Sequence, residues 1–347
     1  MSTKKRIDWV DVAKGIGMIL VIMSHAEEHF IPGQMAKLKI PIYTFHMPLF
    51  FFISGYLFSM KSSFGEFLKS RSKRILIPYF GLGGILILFD TYWNGRNAYG
   101  GSWFNKDYFL YLLGELWKQN RFWTLWFIAC LFWLGILFYA IVRFIKNEKA
   151  RAIVVIALAV AGLLYYRLGG RGVFWNIDVC FTVLPFFYVG YLCRKTDFIN
   201  QKILGNKKYK PVLFVGFVVM DAVCAIINWK VFGGYMELFG CQYGMELLTY
   251  ICAFSGIFAV IILADWCNWF PLRYIGVNTM VLYAWHQTML LPVIQFFYNK
   301  CRLFQGFILP PWKYYGRIGL TTLICCVVLC LINELICRIK LGVIVGK

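Results

Sequence analysis

The chain has no polar stretch long enough to fold by itself. Across its 347 residues, apolar segments are separated only by short loops, so one domain spanning 1–347 is expected and a separate soluble domain is not. Acidic residues are scarce, 16 against 36 Lys and Arg, which leaves a net charge of +20. The cysteines, although there are twelve, contain no C-x-x-C pair, and most lie inside apolar runs as small buried hydrophobes would. Only Cys241 and Cys301 fall in expected outer loops. No internal repeat and no low-complexity segment is found, so a solenoid is not indicated. Histidine is rare too: His25, His29, His46 and His286 are the full set.

What is abundant is apolar surface. At 60% hydrophobic and 19% aromatic, the chain is too apolar for a soluble globule and long enough for many spans of roughly 20 residues. The expected fold is an all-α integral membrane protein of about ten transmembrane helices with both termini cytoplasmic. Spans are expected near 9–29, 40–60, 75–93 and 122–144, then a fifth ending near 167, then 177–193, 211–228, 243–263, 274–297 and 316–336. With that alternation, most of the Lys and Arg fall on the cytoplasmic side, as the positive-inside rule requires. The excess charge is then membrane topology, and nucleic acid is not an expected partner. Lys4, Lys5 and Arg6 precede the first apolar run without a small-residue cleavage site, so the first helix is expected to stay as an anchor. Between Tyr108 and Trp117 a shorter apolar patch reads as an interfacial or re-entrant helix.

The first span, DWVDVAKGIGMILVIMSHAEEHF over 8–30, carries the unusual chemistry. Lys14 and His25 are eleven residues apart, which on a helix places them on one face about 16 Å from each other. Asp11 lies on the same stripe, one turn before Lys14. Ionisable groups inside a span are costly and need a partner or a polar cavity. Histidine can take a proton from a hydroxyl at neutral pH and return it, so His25 is the candidate base. The spacing of His25, Glu28 and His29 also matches an H-x-x-E-H zinc motif, but nothing downstream clearly supplies a third ligand, and a polar helix end is the favoured reading. In the first basic loop, Arg71 and Arg74 are three apart with Lys73 beside them. If helical, they share a face suited to a phosphate, although on the residues alone a positively charged flank meeting lipid headgroups is the favoured reading.

These stretches resemble a known family. WVDVAKGIGMILVIMSH, FHMPLFFFISGYLF and RSKRILIPY, in that order, are similar to the membrane acyltransferase-3 family, in particular its stand-alone bacterial sugar O-acetylases of the fucose 4-O-acetylase-like branch. LWFIACLF, PFFYVGYLCRK and IGVNTMVLYAWH extend the resemblance over most of the chain. The resemblance implies a ten-helix O-acyltransferase of the bacterial inner membrane. It would carry acetyl from cytoplasmic acetyl-CoA to a hydroxyl of a cell-surface glycan or lipid-linked sugar, with no metal. Carried over, His25 is the catalytic histidine as base or acyl carrier, Lys14 its basic companion with Asp11 beside it, and Arg71 and Arg74 contact the CoA phosphates near Lys73. Glu28, His46, Asn278, Tyr283 and His286 are further candidates for holding substrate. Many relatives carry an extracytoplasmic hydrolase-like domain that is not expected here, so a separate transfer partner is one expectation. The alternative from another class is a transporter or flippase for a sugar-linked lipid, with Lys14, Asp11 and His25 as a proton relay. Such transporters show repeats and broken helix pairs, and neither is apparent in the sequence.

Overall fold

The computed structural model describes residues 6–30, 38–60, 63–95, 104–119, 124–170, 172–233, 237–304 and 310–347. Helix α1, Asp8–Phe30, opens with Asp8 and Asp11 in its first turn, where the positive end of the helix dipole favours acidic side chains. α2 (Lys39–Tyr43) and α3 (His46–Tyr56) follow, separated by a break at Thr44 and Phe45. α4 (Phe64–Arg71) starts in a capping box, with Ser63 and Glu66 exchanging hydrogen bonds, and passes through a π-helical turn at Ser72–Leu76 into α5, Ile77–Trp93. Then come α6 (Lys106–Lys118), α7 (Trp126–Phe144), α8 (Glu148–Arg167), α9 (Ile177–Lys195), α10 (Lys210–Phe232) and α11 (Glu246–Trp266). α12 (Phe270–Val277), α13 (Thr279–Trp285), a second π-turn at His286–Leu290, α14 (Leu291–Lys300) and α15 (Pro311–Arg338) complete the bundle.

Among the described residues no strand forms, and eight helices are long and apolar enough to cross a membrane. The chain is an all-α membrane protein. The expected second and ninth spans are the ones missing from that set, because each is interrupted. α2 and α3 share the second, while α12 to α14 share the ninth around Asn278 and the π-turn. This corrects the reading that no helix pair is broken. Hydrophobic periodicity does not register such breaks, since the apolar residues run straight through them.

α1 sits in the middle, packed on α3, α11, α12, α13 and α15. α8 and α10 lie at the margin with mostly exposed apolar faces, as lipid-facing helices do. Two crossings set the central geometry. A Cβ at Gly276 would sit 1.7 Å from the carbonyl oxygen of Asp11, and one at Gly15 would sit 2.1 Å from that of Leu272, so α1 and α12 touch backbone to backbone. Gly55 and Gly190 join α3 to α9 in the same way, with Cβ positions 1.9 and 2.0 Å from the carbonyls of Phe187 and Phe52. In lipid, where tails are as apolar as side chains, such close approach is a main source of helix–helix attraction. The buried carboxylate of Glu27 adds a polar tie. It accepts the N–H groups of Leu38 (3.1 Å) and Lys39 (2.9 Å) and the hydroxyl of Tyr314 (2.5 Å), fastening α2 and α15 to α1.

The patch expected between Tyr108 and Trp117 is α6, and at 13 residues it is too short to cross. It runs down α5. The Tyr108 hydroxyl donates to Asp90 at 2.8 Å, and the Tyr79 hydroxyl, about 16 Å further along α5 at 1.5 Å per residue, donates to the carbonyl of Leu116 at 2.6 Å. Two further carbonyls at its end are met by the Trp175 indole (to Trp117, 2.7 Å) and the Asn176 amide (to Gln119, 2.9 Å). A helix end deep in the bundle is thereby satisfied by side chains where water would serve at a surface. All twelve cysteines, Cys241 and Cys301 included, are free thiols.

Candidate functional site

The breaks in the second and ninth spans meet the upper half of α1 at a cavity of about 270 Å³. His25 supplies one wall from α1. Tyr43 and His46 come from the two sides of the α2–α3 break, Thr124 and Trp126 from the start of α7, Tyr283 from the helix just before the second π-turn and Gln287 from within that turn. Glu237, Leu238 and Phe239, from the loop between α10 and α11, close it.

His25 does not stand alone. Its Nδ1 lies 2.6 Å from Nε2 of His286. The two ring planes are 10° from parallel with centroids 4.9 Å apart. Face-to-face stacking would hold the nitrogens at a van der Waals spacing of roughly 3.5 Å. The rings therefore lie edge to edge in one plane, joined by an in-line hydrogen bond. His286 is fully buried and is not part of the cavity wall.

Glu28, one turn beyond His25, reaches the cavity with its carboxylate held by the Lys39 ammonium at 2.8 Å and the Tyr43 hydroxyl at 3.2 Å. His46 also lines the wall, its Nδ1 2.8 Å from the carbonyl of Ile42. A carbonyl can only accept, so that nitrogen carries the proton, and Nε2 is the acceptor on a neutral ring. Tyr283 reaches the cavity, but its hydroxyl is engaged on the backbone at the start of α7, donating to the carbonyl of Thr124 and accepting the N–H of Phe127 at 3.3 Å. Glu237 lies in the loop outside the spans. Burial raises its carboxyl above the ordinary carboxylate range, Lys39 opposes the rise and Glu28 adds to it.

The remaining sequence candidates gather at the other end of the bundle. Lys14 pairs with Asp11 at 2.9 Å on α1, away from the His25 cavity. Asn278 sits there too, accepting from Asn333 at 3.0 Å and from Lys347 at 2.5 Å, in a depression shared with Arg6, Asp8, Asp11 and Arg273. It is thus separated from the substrate candidates His46 and Tyr283. His286 likewise stands behind His25, one layer from any molecule in the cavity.

Arg71 and Arg74 also part company. Arg71 turns into the bundle, lies against Gly135 and donates to the carbonyls of Leu131 and of Phe132 (3.1 Å) on α7. Arg74 and Lys73 line a basic depression of about 530 Å³ with Glu66, Lys69, Ser70 and Lys347. The cause is the π-turn at Ser72–Leu76. Its i→i+5 bonds widen the turn, so a residue three positions on no longer returns to the same face. As for the H-x-x-E-H spacing, among the described residues no three His, Cys, Asp or Glu side chains come together as a metal site would need.

Sequence reasoning missed Trp126, Glu237, Phe239 and Gln287. For Glu237 a signal existed, since only Asp107 and Glu115 join it as acidic residues in the expected outer loops. Trp126 and Phe239 are two among many aromatics, and only the fold distinguishes them.

Comparison with known proteins adds to this geometry. The acyltransferase-3 family model, described as an acyltransferase domain, matches residues 7–331. Among curated proteins, the chain is 26% identical over 236 residues to the nodulation protein NolL of Sinorhizobium fredii (strain NBRC 101917 / NGR234), an alignment covering 63% of this chain and 56% of that protein. It is 42% identical over 76 residues to the nodulation protein NolL of Mesorhizobium japonicum (strain LMG 29417 / CECT 9101 / MAFF 303099), 20% of each chain. The chain thus spans about half the length of the first relative and a fifth of the second.

Proposed function

This chain belongs to the acyltransferase-3 family, and from that premise we propose that it transfers an acyl group, acetyl in the simplest case, from acyl-CoA to a hydroxyl of a glycan or lipid-linked sugar. The observation that carries the reading is the placement of His25. The imidazole forms part of a cavity wall between two interrupted spans, in a chain of an acyl-transferring family. A thioester is already activated, so the protein's tasks are to hold the acceptor, remove its proton and orient attack. His25 takes the proton. The carboxylates of Glu28 and Glu237 accept hydrogen bonds from neighbouring sugar hydroxyls, and Trp126 offers an apolar face to the ring.

The donor fits the opposite end of the bundle, where Lys69, Lys73 and Arg74 line a depression suited to the phosphates of CoA. In this reading the termini and the basic depression are cytoplasmic, the His25 cavity opens outward, and the protein resides in a bacterial inner membrane. The two curated relatives, nodulation proteins of Sinorhizobium fredii and Mesorhizobium japonicum, support a bacterial setting and leave the acceptor open.

The direct test is incubation of proteoliposomes with radiolabelled acetyl-CoA and a panel of bacterial glycans and polyprenyl-linked sugars. Label transferred to one acceptor with stoichiometric release of CoA is expected. No acceptor-dependent CoA release across the panel sinks the reading. A transporter is the second reading, because the paired interruptions in the second and ninth spans follow a pattern common in transporters. Donor binding separates the two. Acetyl-CoA should raise the melting temperature of the detergent-purified protein, and Lys73→Ala with Arg74→Ala should raise the donor KM about tenfold, roughly one charge-assisted hydrogen bond. Absence of any CoA-dependent stabilisation of the unaltered protein favours transport. Glu237→Gln tests the acceptor side: the acceptor KM is expected to rise several-fold, about 1 kcal/mol, with the donor KM unchanged. A donor-side effect alone contradicts that assignment.

A further inference from the structure

We infer that His286 is a positioning residue for His25: it holds the His25 ring with its proton on Nδ1 and presents a bare Nε2 to the cavity. The role in the reaction rests on the proposed function, while the tautomer is a property of the protein alone.

The proton positions are set from behind the cavity. Nδ1 of His286 lies 2.8 Å from the carbonyl of Leu282 and 3.0 Å from that of Tyr283. Carbonyl oxygens only accept, so this nitrogen bears a proton. A neutral imidazole has one N–H, which leaves Nε2 of His286 as an acceptor. That nitrogen is 2.6 Å from Nδ1 of His25, which must therefore donate. The one remaining nitrogen of His25, Nε2, then has a lone pair and lies across the ring from His286. Because His25 lines the cavity and His286 does not, that lone pair is on the cavity side. Full burial of His286 disfavours its charged form, and on a neutral ring each assignment follows from the one before it, beginning from two backbone carbonyls that cannot change role.

The anchor is rigid. Every residue just before His286 is fixed to another helix. The Tyr283 hydroxyl is bound at the start of α7, the carbonyl of Ala284 accepts the hydroxyl of Thr124 at 3.2 Å, and the Trp285 indole donates to the carbonyl of Leu82 on α5 at 3.1 Å. The π-turn that opens at His286 supplies the extra width that lets its ring project toward α1, and such turns inside helices recur at functional sites. Full burial keeps water from competing for Nε2. A free imidazole in water exchanges between tautomers; this one is held in the form a general base needs.

The arrangement differs from a histidine backed by a carboxylate. His286 is neutral, so it orients the base without a negative charge to stabilise the imidazolium, and no such charge has to be buried in the membrane.

The test exploits the rarity of histidine. Protein labelled with 15N only at its four histidines gives four ring pairs, assigned by single substitutions. In detergent or nanodiscs at neutral pH, the expected spectrum shows His25 with a protonated Nδ1 and an unprotonated Nε2. His286→Gln, whose amide oxygen can accept the same hydrogen bond, should keep that form, while His286→Ala should return His25 to exchange between both tautomers. In the transfer assay, His286→Ala should lower kcat on the order of 10²-fold with little change in KM, and His286→Gln should recover part of the loss. An unaltered protein showing His25 protonated at Nε2 overturns the inference whether or not any variant folds. An unchanged His25 tautomer in folded His286→Ala does the same. If the tautomers behave as expected but His25→Ala still transfers acyl groups, it is the proposed function that falls and the structural inference that stands.

Discussion

Replacing His25 with alanine is expected to lower acyl transfer on the order of 10³-fold or more while leaving the bundle folded. The magnitude follows from the work required. An alcohol at neutral pH is a poor nucleophile, and general-base removal of its proton contributes about 10²- to 10⁴-fold. Within the cavity the other ring with an available acceptor nitrogen is that of His46, on the far side of the α2–α3 break. Its position permits it to contact the acceptor but does not place it on α1 where the base is assigned, so compensation is not expected. Stability should change little, since His25 contributes one hydrogen bond, to His286, and borders open space rather than a packed interface. The measurement is CoA release and label transfer by the variant, beside its melting curve and its stabilisation by acetyl-CoA. Full transfer by His25→Ala removes the residue from the mechanism. Loss of transfer together with loss of folding leaves the assignment to His25→Gln, which has a comparable reach and no base; that variant should fold normally and be equally inactive, and activity in it also removes His25.

The second large effect is expected far from the chemistry. Gly276→Ala adds one methyl group, yet its Cβ would lie 1.7 Å from the backbone oxygen of Asp11 and 3.0 Å from the backbone nitrogen of Gly15. Neither neighbour is the end of a flexible side chain, so α12 must move away from α1. Overpacking of this kind typically costs 1–3 kcal/mol, and a backbone-to-backbone clash belongs at about 3 kcal/mol or above. A drop of ~5 °C or more in apparent melting temperature is expected, with lower yield from membranes. Gly84→Ala is the matched control. It lies on α5 with no atom within 4 Å of its would-be Cβ, and alanine is the better helix former, so that variant should melt at or slightly above the original temperature. Equal melting of both variants contradicts the crossing. The same crossing carries the two halves of the site, because α1 bears His25 and the segment after α12 bears His286. A Gly276→Ala protein that does fold should therefore also transfer acyl groups more slowly.

Much of this is legible in the sequence, and the limits have physical causes. Span placement is readable because an apolar run of about 20 residues is seldom anything but a membrane crossing, and eight of the expected spans correspond to long helices among the described residues. His25 is readable as a candidate because an ionisable residue inside a span requires a reason. Its partner is not. His286 is 261 positions away, and no local periodicity connects residues at that separation. The divergence of Arg71 from Arg74 is hidden for a different reason. A shared face for the two assumes α-helical geometry, and the π-turn that starts just after Arg71 and contains Arg74 has no signature in the pattern of apolar residues. Nearness in sequence groups Asn278 with Tyr283 and His286, but the eight residues from Asn278 to His286 rise about 12 Å along the helix axis, enough to put them at different levels.

Helix α6 has a consequence for how the chain is assembled. It is too short to be taken up as a span during synthesis, and its C-terminal carbonyls are met by Tyr79 from before it and by Trp175 and Asn176 from after it. Exposed to lipid without those partners, its end would carry unsatisfied backbone groups at several kcal/mol each. It therefore cannot settle at its final depth when it leaves the ribosome. It has to wait at the interface until about 60 further residues, two spans among them, have been inserted and the turn before α9 arrives. Thr124 and Trp126, which follow α6 directly and line the cavity, reach their final places only with that docking. The wall opposite His25 is thus among the later parts of the protein to take shape, completed by docking rather than by insertion.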